Sequence, residues 1–181
     1  MGAGPRLALV LALLAALAGC AGSVYRDRGV AISTQAIDPA RYSGLWYEMG
    51  RFPVPFQRGC AATTAEYAVT GPGTLSVVNT CREGTPSGPV QQIVGSAEVV
   101  GPGKLSVEFD SVPFVSAPYW VLWVDESYTT AVVGVPSGRA GWVLARTPEM
   151  SQSRWISALN VLRANGYDTS KLLRTEHGPA R

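Results

Sequence analysis

Histidine is almost missing from this 181-residue chain; the one present, His177, sits in a Gly/Pro-containing tail and reads as a solvated end residue. One imidazole excludes a His-cluster metal site, and its place in the tail, away from the expected barrel interior, argues against a Ser-His-Asp triad or a histidine-held haem. No paired-carboxylate arrangement can be read either, so the chain is expected not to be an enzyme. Charge is scarce and nearly balanced, 15 Lys+Arg against 13 Asp+Glu for a formal net charge of +2. That gives no basis for nucleic-acid binding or for strong attraction to anionic membranes. Long apolar runs are lacking too. The longest, Leu7 to Ala18, is too short to span a bilayer.

With Arg6 ahead of it, that run reads as the apolar part of a secretory leader, residues 1–19. Its end, Leu17-Ala18-Gly19-Cys20, resembles the bacterial lipobox, in which the cysteine becomes the first mature residue and carries lipid. Acyl chains such as palmitate on Cys20 would anchor the chain, each buried methylene contributing about 0.8 kcal/mol. Ala21 resembles the sorting pattern for the outer membrane. The alternative is an ordinary leader followed by an incidental cysteine. Residues 20–36 are polar and mixed and read as a tether. Export leaves Cys60 and Cys81 as an even pair in an oxidising compartment, where a disulfide is expected. In the chain-entropy picture a loop of that size contributes about 3 kcal/mol.

From Gly44 onward, short alternating runs are punctuated by Gly and Pro, the pattern of an all-β barrel or sandwich. Thr70-Gly71-Pro72-Gly73-Thr74-Leu75-Ser76-Val77 is echoed by Val100-Gly101-Pro102-Gly103-Lys104-Leu105-Ser106-Val107. Each Gly-Pro-Gly makes a tight reversal, so two hairpins follow one another as in an up-and-down meander. Tyr119 to Val124 is apolar on both faces and must be covered outside. Val78 and Val94 also break the alternation and are expected under a helix. That helix starts at Ser151, buries a stripe of Trp155, Ile156, Leu159 and Leu162, and ends at Asn165-Gly166. The expectation is an all-β, eight-stranded antiparallel up-and-down barrel with a short helix before the first strand and one C-terminal α-helix packed outside.

Three motifs carry a resemblance to the lipocalin family, over roughly Ala36 to Leu173. They are Gly44-Leu45-Trp46-Tyr47-Glu48 on the first strand, Asp125-Glu126-Ser127-Tyr128 between the sixth and seventh, and Leu144-Ala145-Arg146-Thr147-Pro148 ending the eighth. The lipobox, Arg51-Phe52 and the final Arg-Thr-Pro resemble the bacterial lipoprotein branch. The resemblance implies a calyx domain over 37–176, followed by a tail, 177–181. Its floor would hold Gly44 and Trp46, with Arg146 crossing the indole as structural residues rather than ligand contacts.

Alternation supplies the inward set. On one side are Ala65, Tyr67, Val77, Asn79, Ile93, Ala97, Val107 and Phe109. Tyr119, Val121, Trp123, Val132, Gly134 and Trp142 are expected on the other. Each could equally be plain barrel core. Glu48 shares the parity of Trp46 and is expected inside near the floor, hydrogen-bonded, paired with an arginine or protonated. Arg51 and Arg58 are placed to meet a headgroup at the mouth. The pocket suits a small hydrophobic or amphiphilic ligand, a fatty acid or lysophospholipid, with the membrane reached through the lipid anchor and no cofactor. A second expectation is a filled barrel whose Phe52-Pro53-Val54-Pro55-Phe56 lip binds protein, including a homodimer contact.

Overall fold

The structure, a computed structural model, describes residues 23–178. The leader, Cys20 and the last three tail residues lie outside the described residues. Eight strands run in sequence as antiparallel neighbours: β1 (Gly44–Arg51), β2 (Cys60–Gly71), β3 (Thr74–Glu83), β4 (Val90–Gly101), β5 (Lys104–Phe109), β6 (Ser116–Val124), β7 (Thr130–Gly134) and β8 (Gly141–Ala145). β1 pairs with both β2 and β8, which closes the barrel. The reversals after β2, β4 and β6 share one end with the short helix α1 (Pro39–Tyr42). Those after β1, β3, β5 and β7 form the other, open end. α1 starts as its sequence dictates: the Asp38 carboxylate accepts from the Ala40 amide at 2.8 Å, and Pro39 fills the first turn.

The second helix, α2 (Gln152–Ala164), is capped by Ser151 and ends at Gly166, whose φ of +83° is the expected left-handed position. It lies on the outside of β6 and β7. Its buried stripe is Trp155, Ala158 and Leu162, while Ile156 is exposed, because the helix meets the sheet along a narrower face than the apolar residues suggest. Val94 is exposed as well, and the helix does not extend to its part of the barrel. The cover expected over β6 is present, with Trp120, Leu122 and Trp123 packed against the helix-side cluster.

The lead-in is not a free tether. From Tyr25 onward it is packed along the outside of the barrel, from the open end to the closed end. At the open end the Tyr25 amide donates to Gly138 O (2.7 Å) and its hydroxyl to Pro53 O (2.7 Å). Farther on, Thr34 donates to Pro102 O, Gln35 exchanges bonds with Val124, and the Asp38 amide donates to the Tyr128 hydroxyl. Gly138 is required for this seat. Its φ is +71°, and a Cβ there would lie 2.5 Å from that of Arg26. Phe52, expected at the lip, is fully buried, stacked between Tyr25 and Tyr167 at 5.0 and 5.1 Å. Only Phe56 of that segment projects as a large apolar side chain, 73% exposed.

β1 and β2 pair only from Gly44 to Tyr47 and then splay apart. The C-terminal segment bridges the opening. β9 (Leu173–Arg174) pairs with the upper part of β1, the Thr175 amide donates to Met49 O, and the Ala62 amide donates to Glu176 O. His177 is therefore not a solvated tail residue: its Nε2 donates to Glu48 O at 2.8 Å and its ring meets Tyr47 edge-on. The Cys60–Cys81 disulfide ties β2 to β3 beside this seam, with Cα atoms 5.4 Å apart.

Candidate functional site

The floor is built around Trp46, which is wholly buried and donates its indole N–H to Tyr42 O at 2.8 Å. The Arg146 guanidinium lies 3.8 Å above the indole centroid. It also donates to Leu45, Arg41 and Ser43 carbonyls at 2.8 Å, to Tyr42 O at 3.2 Å and to Tyr128 O at 3.1 Å. One side chain thus satisfies the carbonyls left over at the end of α1 while its planar face covers the aromatic ring. Gly44, with a φ of +94°, opens β1 directly below this guanidinium.

Above the floor, the structure brings Tyr67, Val77, Ala97, Val107 and Val121 into one interior cluster, with Ala65, Phe109, Tyr119 and Trp142 packed against it. Strand register puts Asn79 opposite both Ala65 and Ile93, so those two belong to the same inner face. Trp123, Val132 and Gly134 do not. A bulge between Val121 and Trp123 shifts the register of β6, which turns Trp123 outward and Val124 inward. On β7, Ala131 and Val133 face in, Val132 packs under α2, and a Cβ on Gly134 would meet the Tyr167 hydroxyl. Leu75 and Leu105, which alternation puts on the same face as Val77 and Val107, complete the interior together with Val133 and Leu144, which were not expected there.

Burial is graded along the axis. Tyr42, Trp46, Leu75, Leu105 and Val121 at the closed end are sealed. Ala65, Asn79, Ile93, Phe109, Tyr119 and Trp142 are inward-facing yet keep part of their surface accessible. The interior is closed below and accessible toward the mouth.

Its polar feature is a relay of phenols. Tyr67 donates to the Tyr119 hydroxyl at 3.0 Å, and the Tyr42 and Tyr119 hydroxyls are 2.8 Å apart. Three hydroxyls joined by two hydrogen bonds leave one hydrogen for an acceptor placed beside them. Burial first, partly offset by the bond to Tyr119, pushes the Tyr67 phenol up to about 12. Burial also raises Tyr42 and Tyr119 well above the ordinary phenol range. All three are neutral donors at physiological pH. Because the unfolded chain releases these protons near the ordinary phenol pKa while the fold retains them, stability is fully present below that pH and is lost as pH rises toward 12. A spectroscopic titration is expected to show these phenolates appearing together with alkaline unfolding. Their appearance in the intact fold at an ordinary phenol pKa would contradict the buried relay.

Glu48 lies opposite Leu144 on β8, above the floor rather than at it, and is 3% exposed. It accepts from Arg51 (2.6 Å), Gln57 (2.7 Å) and Thr175 (2.5 Å). Gln57 in turn accepts the Trp142 indole N–H at 3.0 Å. The carboxylate is paired, and Arg51 is committed to it and to the Cys60 carbonyl, so Arg51 is not a free headgroup ligand. Arg58 remains exposed. Nothing in sequence periodicity pointed to Gln57 or Thr175, because loop and tail positions have no period. Among the described residues no three His, Cys, Asp or Glu side chains cluster to hold a metal.

Residues 37–177 match the model of the Lipocalin-like domain. The chain belongs to the lipocalin family. This lipocalin is 36% identical over 172 residues to the outer membrane lipoprotein Blc of Escherichia coli, covering 92% of this chain and 94% of that one. It is 35% identical over 151 residues to temperature-induced lipocalin-1 of Arabidopsis thaliana, with 78% and 80% covered. Apolipoprotein D of Macaca fascicularis is 31% identical over 185 residues, with 94% and 96% covered. Among solved structures, insecticyanin from Manduca sexta superposes with a TM-score of 0.64 at 19% identity, covering 82% of this lipocalin and 85% of that chain. The relatives come from bacteria, plants and animals, so the family alone does not assign a cellular location.

Proposed function

We propose that this lipocalin is a lipid-anchored outer-membrane carrier that binds, stores or transports one small amphiphile, a fatty acid or lysophospholipid. The observation that carries the reading is the graded interior, sealed at Trp46 and accessible toward the mouth, with a neutral phenol relay as its polar handle. Apolar walls with one or two convergent donors suit an alkyl chain ending in a carboxylate or ester. The anchor rests on Leu17-Ala18-Gly19-Cys20, and the bacterial branch on that motif together with the likeness to an outer membrane lipoprotein. No step of covalent chemistry is assigned to the site. Burial of Phe52 removes half of the aromatic lip on which a protein-binding rim or homodimer contact would rest.

The test is native mass spectrometry of the Cys20→Ser chain with palmitate and lysophosphatidylethanolamine. One bound lipid per barrel is expected. Tyr119→Phe is expected to weaken palmitate about three- to tenfold, the loss of roughly one hydrogen bond. Absence of both lipids from wild-type and variant alike would refute the carrier reading. Unchanged palmitate affinity in the variant would remove the phenol relay from the site.

A further inference from the structure

The point at which the packed chain begins fixes which end of the barrel the anchor holds. Tyr25 is fastened at the open end, to the β7–β8 reversal through Gly138 and to the β1–β2 connection through Pro53. From there residues 25–38 are bonded down the outside of the barrel to its closed end. At most five residues of chain therefore separate Cys20 from the fastened Tyr25, instead of the sixteen or so suggested by composition. Fully extended, that reaches about 17 Å, whereas a ten-residue strand spans about 33 Å. A lipid on Cys20 would hold the mouth, and not the floor, within reach of the bilayer.

The same end carries apolar side chains that nothing among the described residues covers. Phe56 on the β1–β2 connection is 73% exposed, and Phe114 on the β5–β6 connection is 97% exposed at a φ of +67°. Val112 and Val115 flank Phe114, and Val90 stands at the start of β4, each at least half exposed. A non-glycine residue with positive φ and a bare phenyl ring is costly in water and suited to an interface. At the closed end the reversals Gly71-Pro72-Gly73 and Gly101-Pro102-Gly103 carry no aromatic, the Tyr128 ring of the third is covered by the Arg41 guanidinium, and the exposed apolar side chains beside them, Val69 and Val100, are smaller.

We propose that the open rim, through Phe56 and Phe114, docks on the bilayer that holds the anchor, so that amphiphiles pass between membrane and barrel without crossing bulk water. This deepens the anchored-carrier reading and rests on it. Acidic Glu83 and Asp110 accompany Arg58 and Arg139 at this end, so apolar contact rather than net charge would drive docking.

The experiment is hydrogen exchange on the full chain, purified with its leader processed and reconstituted in phosphatidylethanolamine–phosphatidylglycerol vesicles, compared with the Cys20→Ser chain in buffer. Amides of 53–59 and 110–116 are expected to exchange about tenfold more slowly on vesicles, with 71–74 and 101–104 unchanged. Phe56→Ser/Phe114→Ser is expected to abolish that protection while the chain stays on the vesicles. A parallel arm replaces residue 20 with a hexahistidine tag on nickel-chelating lipid, so docking is read whether or not Cys20 is acylated. An intact mass without acyl groups would refute the anchor alone. Equal exchange at both ends in the tagged arm, or protection of the closed-end reversals, would overturn the docking proposal.

Discussion

Trp46→Ala is expected to melt about 10 °C below the parent protein while its affinity for a bound lipid, per folded molecule, changes less than about threefold. The side chain is wholly buried, and deleting a buried indole typically costs about 3–5 kcal/mol. For a domain of this size each kcal/mol moves the midpoint by roughly 2–4 °C. Arg146→Ala is expected to follow, because it strips donors from the carbonyls of Arg41, Tyr42, Ser43, Leu45 and Tyr128 in one step. Hydrogen bonds from a charged donor contribute about 1.5–3 kcal/mol. The double-mutant cycle isolates the stacking, expected at about 0.5–2 kcal/mol. Differential scanning calorimetry beside lipid titration checks all three variants. A variant that keeps its midpoint and loses its ligand would make the floor the binding site.

Ala65→Trp carries the largest expected effect on binding: a loss of about 100-fold or more, equivalent to roughly 3 kcal/mol, in a barrel that still folds. Ala65 faces the interior between Trp46 and Asn79, where the wall is still partly accessible. An indole there occupies the space above the floor that the alkyl chain would use. Overpacking a sealed core costs about 1–3 kcal/mol, and accessible space at this level reduces that cost. Glu66→Trp, one residue along and facing solvent opposite Leu45, is the control. Equal lipid binding in the two variants, measured by fluorescence titration, would place the ligand outside the barrel.

What the sequence showed depended on how regular the backbone was. Tyr67, Val77, Ala97 and Val107 lie on unbroken stretches of strand, where a period of two carries each side chain to the expected face. Trp123 lies just beyond a bulge, and a bulge leaves no mark in a run that is apolar on both faces. Val132 and Gly134 belong to a strand buried on both sides, so hydrophobicity does not say which side is the lumen. Glu48 could be placed inside by parity, but its partners Gln57 and Thr175 come from a loop and from the C-terminal segment. The Trp46–Arg146 bolt was legible only through the family resemblance, since a hundred residues separate its two halves.

The seam between β1 and β2 has a consequence for how the molecule is made. β1 pairs with β2 for only four residues, and the remaining gap is bridged by Thr175, Glu176 and His177, the last part of the described chain. The lead-in is likewise seated on Gly138 and Gly166, far along the sequence. A ribosome delivering this chain N-terminus first cannot release a sealed barrel until the residues through His177 have emerged. Completion is thus an event of high contact order, slow relative to helical folds of the same size. Until then the apolar lumen lies open along one side, a cleft exposed to solvent and to other chains.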